Sequence, residues 1–240
     1  MEFYANLQRI FRRLIKDSGL SRERIRVKAY PLTPEEAIGN PEERDYPLVK
    51  GRERLMEADL RGAKGQAYTD LFGDFEGSLQ EIAELRLRNN FFRAVFISSL
   101  NALLRHLGLI KGTIHCKDKE PKLCGEELFR FIRKRGGRPK VALVGLQPRM
   151  AEALARGFPL RISDMDEANV GKEIGGVVVE GPEKNGELLE WCDLAVITGT
   201  VLTNGTVEGI LSSKPTLFYG VTVAGAAHLL GWERFCPFAH

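Results

Sequence analysis

The densest gathering of polar chemistry in the chain is Thr198-Gly199-Thr200-Val201-Leu202-Thr203-Asn204-Gly205-Thr206, with four threonine hydroxyls, one carboxamide and two glycines. It follows the apolar run 193–198, which reads as a strand, and leads into a helix expected over 205–211. Small residues let a ligand approach the backbone, and free amides at a helix start favour a carboxylate or phosphate. The plainer reading makes Asn204 a helix cap. A cap needs one residue, and this turn holds more. Three other strand ends carry unusual residues. Val144-Gly145-Leu146-Gln147-Pro148 is a one-glycine turn into a helix, without the G-x-G-x-x-G of dinucleotide binders. Ser163-Asp164-Met165-Asp166 places Asp164 19 residues after Gly145, near where a ribose-binding carboxylate sits in nucleotide folds; a loop or cap role is the alternative. Residues 220–227 are again small and polar-lined, a candidate opposite wall of the same crevice.

Soft-metal chemistry would draw on Cys116, Cys124 and Cys236, with His115 or His240 beside them. Their spacing is not C-x-x-C, so they meet only if the end of the chain folds back onto residues 112–124. Buried free thiols and a Cys116–Cys124 disulfide are the alternatives. Cys192, beside Trp191, and His228 read as packing. No G-x-S-x-G, H-E-x-x-H or Walker A stretch is present, and no acid–base partner is identifiable for Asp164, Asp166 or Glu167.

The elements that must position these groups fall into two parts. Phe3, Leu7, Ile10, Phe11, Leu14 and Ile15 predict a first helix stopped by Gly19. Alternation predicts a strand over 24–30, ended by Pro31. Residues 31–47, with four prolines, are expected to be an irregular, exposed connection. An extended segment over 55–60, a turn near 62–65 and a return through 66–69 predict a small antiparallel sheet, whose turn Gly65–Thr69 could close over the crevice. Ser78 and Glu81 form a capping-box pattern. A long helix over 90–107 has a broad apolar face on which Asn101 is out of character, so its amide needs partners if buried.

From Lys140 onward short apolar strands alternate with helices, over 141–145, 160–164, 177–179, 193–198 and 216–220. Strands apolar on both faces predict a parallel sheet with both faces covered. Hydrophobic residues reach 43%, which excludes a disordered chain. The 35 basic against 32 acidic residues argue against nucleic acid as a partner. The basic run Arg133-Lys134-Arg135 at the end of a helix expected over 127–138 reads as ordinary surface. Arg9, Arg12, Arg13 and Lys16 break up any leader-like apolar stretch, so no membrane partner and a cytoplasmic location are expected.

Together the T-G-T-x-x-x-N-G-T stretch (Thr198 to Thr206), the V-G-L-Q-P turn and Ser98-Ser99-Leu100-Asn101-Ala102 resemble a heavy-metal-chelation family designated domain of unknown function 364. The resemblance spans nearly the whole chain. It implies an α/β protein with a Rossmann-like parallel sheet domain at 119–240, preceded by a small α+β enolase-N-terminal-like domain at 1–118. It also implies a ligand site in the cleft between them and a role in metal handling or metallocofactor synthesis. Its matching positions are Asn101, Gly145, Thr198, Gly199, Thr200, Asn204, Gly205 and Thr206. The expected ligand is small and either anionic or metal-chelating, contacting these residues with Gln147 and Asp164. Cys116, Cys124, Cys236 and His115 are the metal candidates, for a transition metal or an iron–sulfur cluster. Two alternatives stay open: an enzyme using a nucleotide-like cofactor such as S-adenosylmethionine, and a non-catalytic small-ligand carrier. A homo-oligomer is compatible with all three.

Overall fold

The computed structural model describes residues 2–20, 26–43, 45–50, 53–211 and 213–240, and folds them as a mixed α/β protein on two sheets. Helix α1 (Glu2–Asp17) buries Leu7, Phe11 and Ile15, as their helical spacing requires. Strand β1 (Arg26–Pro31) follows; Arg24 and Ile25, the first residues of the expected strand, lie outside the described residues. The segment expected to be an exposed connection instead contains α2 (Pro34–Ile38) and α3 (Pro47–Lys50). Its Leu32, Ile38, Tyr46 and Leu48 are buried with Leu55 and Val221 in a satellite core. The prolines did not prevent this, because Pro34 and Pro47 each open a helix, where a missing N–H costs nothing.

Strands β2 (Arg54–Leu60) and β3 (Ala63–Thr69) form the expected hairpin. Strand β4 (Phe75–Ser78) had no alternating signal, yet pairs with β1, so the first sheet has the order β3-β2-β1-β4. Ser78 caps α4 (Leu79–Glu84): its hydroxyl accepts from the Glu81 amide at 3.2 Å, and the Glu81 carboxylate accepts from the Ser78 amide at 2.6 Å. Helix α5 (Asn90–His106) is buried at every position from Ala94 to Leu104. A helix hidden on all sides must lie between layers, and α5 contacts β2 and β3 on one side and elements of the second half on the other. Gly65 permits this, because a Cβ there would stand 2.2 Å from the Ala102 nitrogen.

Helix α6 (Glu120–Lys134) begins earlier than expected and ends before Gly136 and Gly137, both at positive φ. Its basic end is surface, as read, with Arg135 over the Phe131 ring at 4.4 Å. Then come β5 (Val141–Val144), α7 (Pro148–Ala155), β6 (Leu160–Ser163), β7 (Glu173–Ile174), β8 (Val177–Glu180), α8 (Asn185–Trp191) and β9 (Leu194–Thr198). The chain closes with α9 (Val201–Asn204), α10 (Val207–Ile210), β10 (Thr216–Tyr219), α11 (Ala224–Leu230) and β11 (Arg234–Phe235). The order β11-β10-β9-β5-β6-β8-β7 is parallel throughout except for β7. One hydrophobic core runs through both sheets, joining Leu7, Phe11, Met56, Phe96 and Leu100 to Val144, Ile197 and Phe218. Among the described residues no helix is long and apolar enough to cross a membrane.

Candidate functional site

Strand β5 sits between β6 on one side and β9 on the other, so the chain reverses direction of travel across the sheet at β5. Such a switch point opens a crevice beyond the carboxyl ends of the strands, the usual ligand position in parallel sheets. Gly145 leaves β5 there at φ +88, with Thr198 of β9 beside it. A Cβ at Gly145 would meet the Thr198 methyl at 2.5 Å and the Tyr219 hydroxyl at 3.1 Å. The Tyr219 hydroxyl donates to the Gly145 carbonyl at 2.8 Å, and burial pushes its pKa well above the phenol range. The sequence-predicted Gly145, Asp164 and Thr198 are therefore brought together, with Tyr219 added.

From the other sheet Glu53, just before β2, reaches the same crevice. Its carboxyl is pushed up to about 7, first by burial and then by the charges of Asp164, Asp70 and Asp166. No side-chain hydrogen bond is recorded for Glu53 among the described residues, and the named charges around it are all acidic. Tyr68 of β3 lies nearby; burial raises its hydroxyl too, with added repulsion from Cys116 and Glu53. Sequence reasoning missed Glu53, Tyr68 and Tyr219. Glu53 sits in a charged stretch that looks like ordinary surface. Tyr219 did carry a signal, a lone hydroxyl at the carboxyl end of an apolar strand.

The threonine-rich turn departs from expectation. Thr200, rather than Asn204, precedes the helix, which is the four-residue α9; Gly205 ends it in the left-handed region at φ 84. The amides are largely satisfied within the protein: Gly199 donates to the Tyr219 carbonyl, Leu202 to Gly199, and Thr203 and Asn204 to Thr200. Thr206 donates both its amide (3.0 Å) and its hydroxyl (2.7 Å) to the Asn204 side chain, and Thr203 its hydroxyl to Thr200 (3.0 Å). A one-turn helix with paired amides lacks the bare donors that an anion needs. Gln147 likewise caps α7, accepting from the Met150 amide at 2.5 Å. Asp164 accepts from the amides of Leu146 (2.6 Å) and Asp166 (2.8 Å), tying together the turns after β5 and β6.

Asn101 joins the two halves. Its amide nitrogen donates to the carbonyls of Gln66 (2.9 Å), Val221 (3.1 Å) and Thr222 (3.3 Å), and its oxygen accepts from the Gly225 amide (2.7 Å). The Tyr68 amide donates to the Thr222 hydroxyl at 3.0 Å. Residues 220–227 therefore form a closed seam against β3 instead of an open wall.

All four cysteines are free thiols. Cys192 is buried as packing, its thiol donating to the Leu189 carbonyl, whereas His228 is exposed. The chain's end folds back as the metal reading required: Ile114 and His240 exchange both backbone hydrogen bonds at 2.9 Å. After the larger effect of burial, Cys124 and Cys236 raise the pKa of the Cys116 thiol, and Cys236 that of Cys124. Burial depresses the His115 imidazole to about 4; its ring packs edge-on to Tyr68 at 5.5 Å. Among the described residues, no group of three or more Cys, His, Asp or Glu side chains is arranged to hold a metal ion.

Residues 127–226 match the model of the DUF364 family, whose description reads "Putative heavy-metal chelation". The chain resembles DUF364 proteins. A DUF364 protein of unknown function from Desulfitobacterium hafniense DCB-2 is similar in structure, with TM-score 0.52 and 15% identity over 74% of this chain and 72% of that one. Another from Pyrococcus horikoshii has TM-score 0.54 and 12% identity over 91% and 78%. At such identities the likeness is one of fold alone. No curated protein matches the chain. The segment matched to DUF364 contains Gly145, Asp164, Thr198 and Tyr219. Glu53, Tyr68, Asn101, Cys116 and Cys236 lie outside it.

Proposed function

We propose that this DUF364-like chain serves in heavy-metal handling or metallocofactor synthesis, and that it binds a small metal-chelating ligand in the crevice between its sheets. In this reading the protein is cytoplasmic, its parallel part is a Rossmann-like domain, and the preceding part is an enolase-N-terminal-like cap. Of the two expected ligand classes, the geometry favours the metal-bearing one over the anion. The observation that carries this is Glu53, a buried carboxyl whose pKa is raised further by the charges of Asp164, Asp70 and Asp166. Such a wall repels anions and attracts a cation. A chelator arriving with the metal already supplies most of its ligands, so one or two protein carboxylates suffice.

Thermal-shift measurement with Ni2+, with its cationic phenanthroline complex, with citrate and with S-adenosylmethionine tests the proposal. The complex should raise the melting temperature by preferential binding to the folded chain, and Glu53→Gln with Asp164→Asn should abolish the rise. A rise with citrate, or none with the complex, would overturn it. S-adenosylmethionine is disfavoured because both Asp164 oxygens accept backbone amides where a ribose would need them. Its binding alone would favour the enzyme reading.

Glu53 also gives the protein a pH signature. Its folded pKa of about 7 exceeds the ordinary 4.5, so the protonated form favours folding. That contribution is complete below pH 4.5 and is lost as pH rises through 7. Glu53→Gln should therefore equal the parent near pH 4 and exceed its stability by about 1–3 kcal/mol at pH 8. Urea denaturation at both pH values checks this, and an equal difference at both would contradict it.

A further inference from the structure

We infer that the groove between α6 and β11 is a second binding site, for a small carboxylate that carries an aromatic or other flat apolar body. Strand β11 ends the seven-stranded sheet at one edge. Helix α6 packs beside it through the Phe131 and Phe235 rings, whose centres are 5.1 Å apart. The groove along this edge has a volume of about 410 Å³, with Phe131, Phe235 and Pro237 as its apolar walls and Lys134 and Arg234 as its cations. That size falls in the range of small-molecule pockets, about 300–1,000 Å³, and near its lower end. One ring with a short acidic chain suits it, and a dinucleotide is too large.

Charge selects the ligand's sign. Lys134 closes α6, where a cation suits the helix end, and it makes no ion pair among the described residues. Arg234 is the more telling group. Its Nε donates to the Gly220 carbonyl at 2.9 Å and its Nη2 to the Gly112 carbonyl at 2.6 Å. Both acceptors are neutral, so the guanidinium is held in place with no carboxylate against it. The acidic side chains that could balance the groove are engaged: Glu127, on its lining, with Arg130 at 2.5 Å, and Glu233 with Arg135. Two cations thus share an apolar groove without a counter-ion. A carboxylate supplies it, through charge-assisted hydrogen bonds to Lys134 and to guanidinium N–H groups that the two carbonyls leave over. The attached ring then lies against Phe131, Phe235 and Pro237. An amine of the same shape meets like charge and is rejected.

The test titrates phenylacetate into the full chain, isotope-labelled for amide NMR, with phenethylamine and acetate as controls. Phenylacetate should shift the Lys134, Phe235 and Cys236 amides saturably. Phenethylamine, which lacks the charge, and acetate, which lacks the ring, should each bind at least ~10-fold more weakly. Lys134→Glu, at an exposed position, should weaken phenylacetate binding by a similar factor. No saturable shift at those amides, equal affinity for the amine, or undiminished binding by Lys134→Glu would each overturn the inference. The ligand series needs no variant and stands if one fails to fold. Glu53→Gln should leave phenylacetate binding unchanged, because this site does not depend on the crevice. Loss of binding in that variant would put the ligand in the crevice and also overturn the inference.

Discussion

Asn101→Ala is expected to lower the unfolding free energy by about 3–5 kcal/mol. The residue is completely buried and its one side chain serves four backbone groups: three carbonyls from β3 and the β10–α11 turn, and the Gly225 amide. Truncation leaves all four in a space from which water is excluded, and unpaired buried groups cost more than the bonds themselves contribute. Asn101→Asp should do no better. A carboxylate can still accept from Gly225, but it offers the three carbonyls no donor and buries a charge. Guanidinium denaturation of both variants measures the loss, and hydrogen exchange at the Gly225 amide reports it locally. A loss below about 1 kcal/mol, or full rescue by aspartate, would mean that Asn101 does not bolt the halves together.

Gly65→Ala should destabilise the fold by about 3 kcal/mol or more, read as a sharply lowered melting temperature or as insoluble protein. The added Cβ would lie 2.2 Å from the Ala102 nitrogen, 2.4 Å from the Ser98 carbonyl oxygen and 2.7 Å from the Asn101 carbonyl carbon. These are backbone atoms of α5, so no rotamer change relieves the clash. The helix would have to lift off β3, and the seam set by Asn101 would move with it. Gly186→Ala is the matched control. It lies in α8 with open space around it, and should stabilise by up to about 1 kcal/mol through helix propensity. Equal stability of the Gly65→Ala protein and its parent would show that the interface is looser than these distances.

Periodicity carried most of the architecture. The helical spacing of Leu7, Phe11 and Ile15, the hairpin through residues 54–69 and the apolar strands from Val141 onward all form as read, because their signals are local. Elements fixed by tertiary pairing were not legible. Strand β4 exists because β1 offers it an edge, and α2 and α3 are buried because Leu55 and Val221 receive them. The site was legible in part. A glycine after β5 and the threonine that ends β9 marked the crevice. The chemistry of the threonine turn was misjudged because the helix starts after Thr200, a boundary that composition does not reveal. Asn101 was rightly singled out as needing partners, but sequence could not tell a ligand from a backbone seam. Glu53 was invisible because its raised pKa arises first from burial, which the fold imposes, and then from the charges of Asp164, Asp70 and Asp166, two of which lie more than a hundred residues away in the chain.

The uninterrupted core has a bearing on motion. Phe96 and Leu100 belong to the same packed cluster as Val144 and Ile197, so swinging the halves apart would bare that shared surface to water at about 25 cal/mol per Å². Opening at a hinge between the halves would carry that cost, so a guest of the proposed crevice would enter by local movement of the surrounding loops, on a body that stays whole.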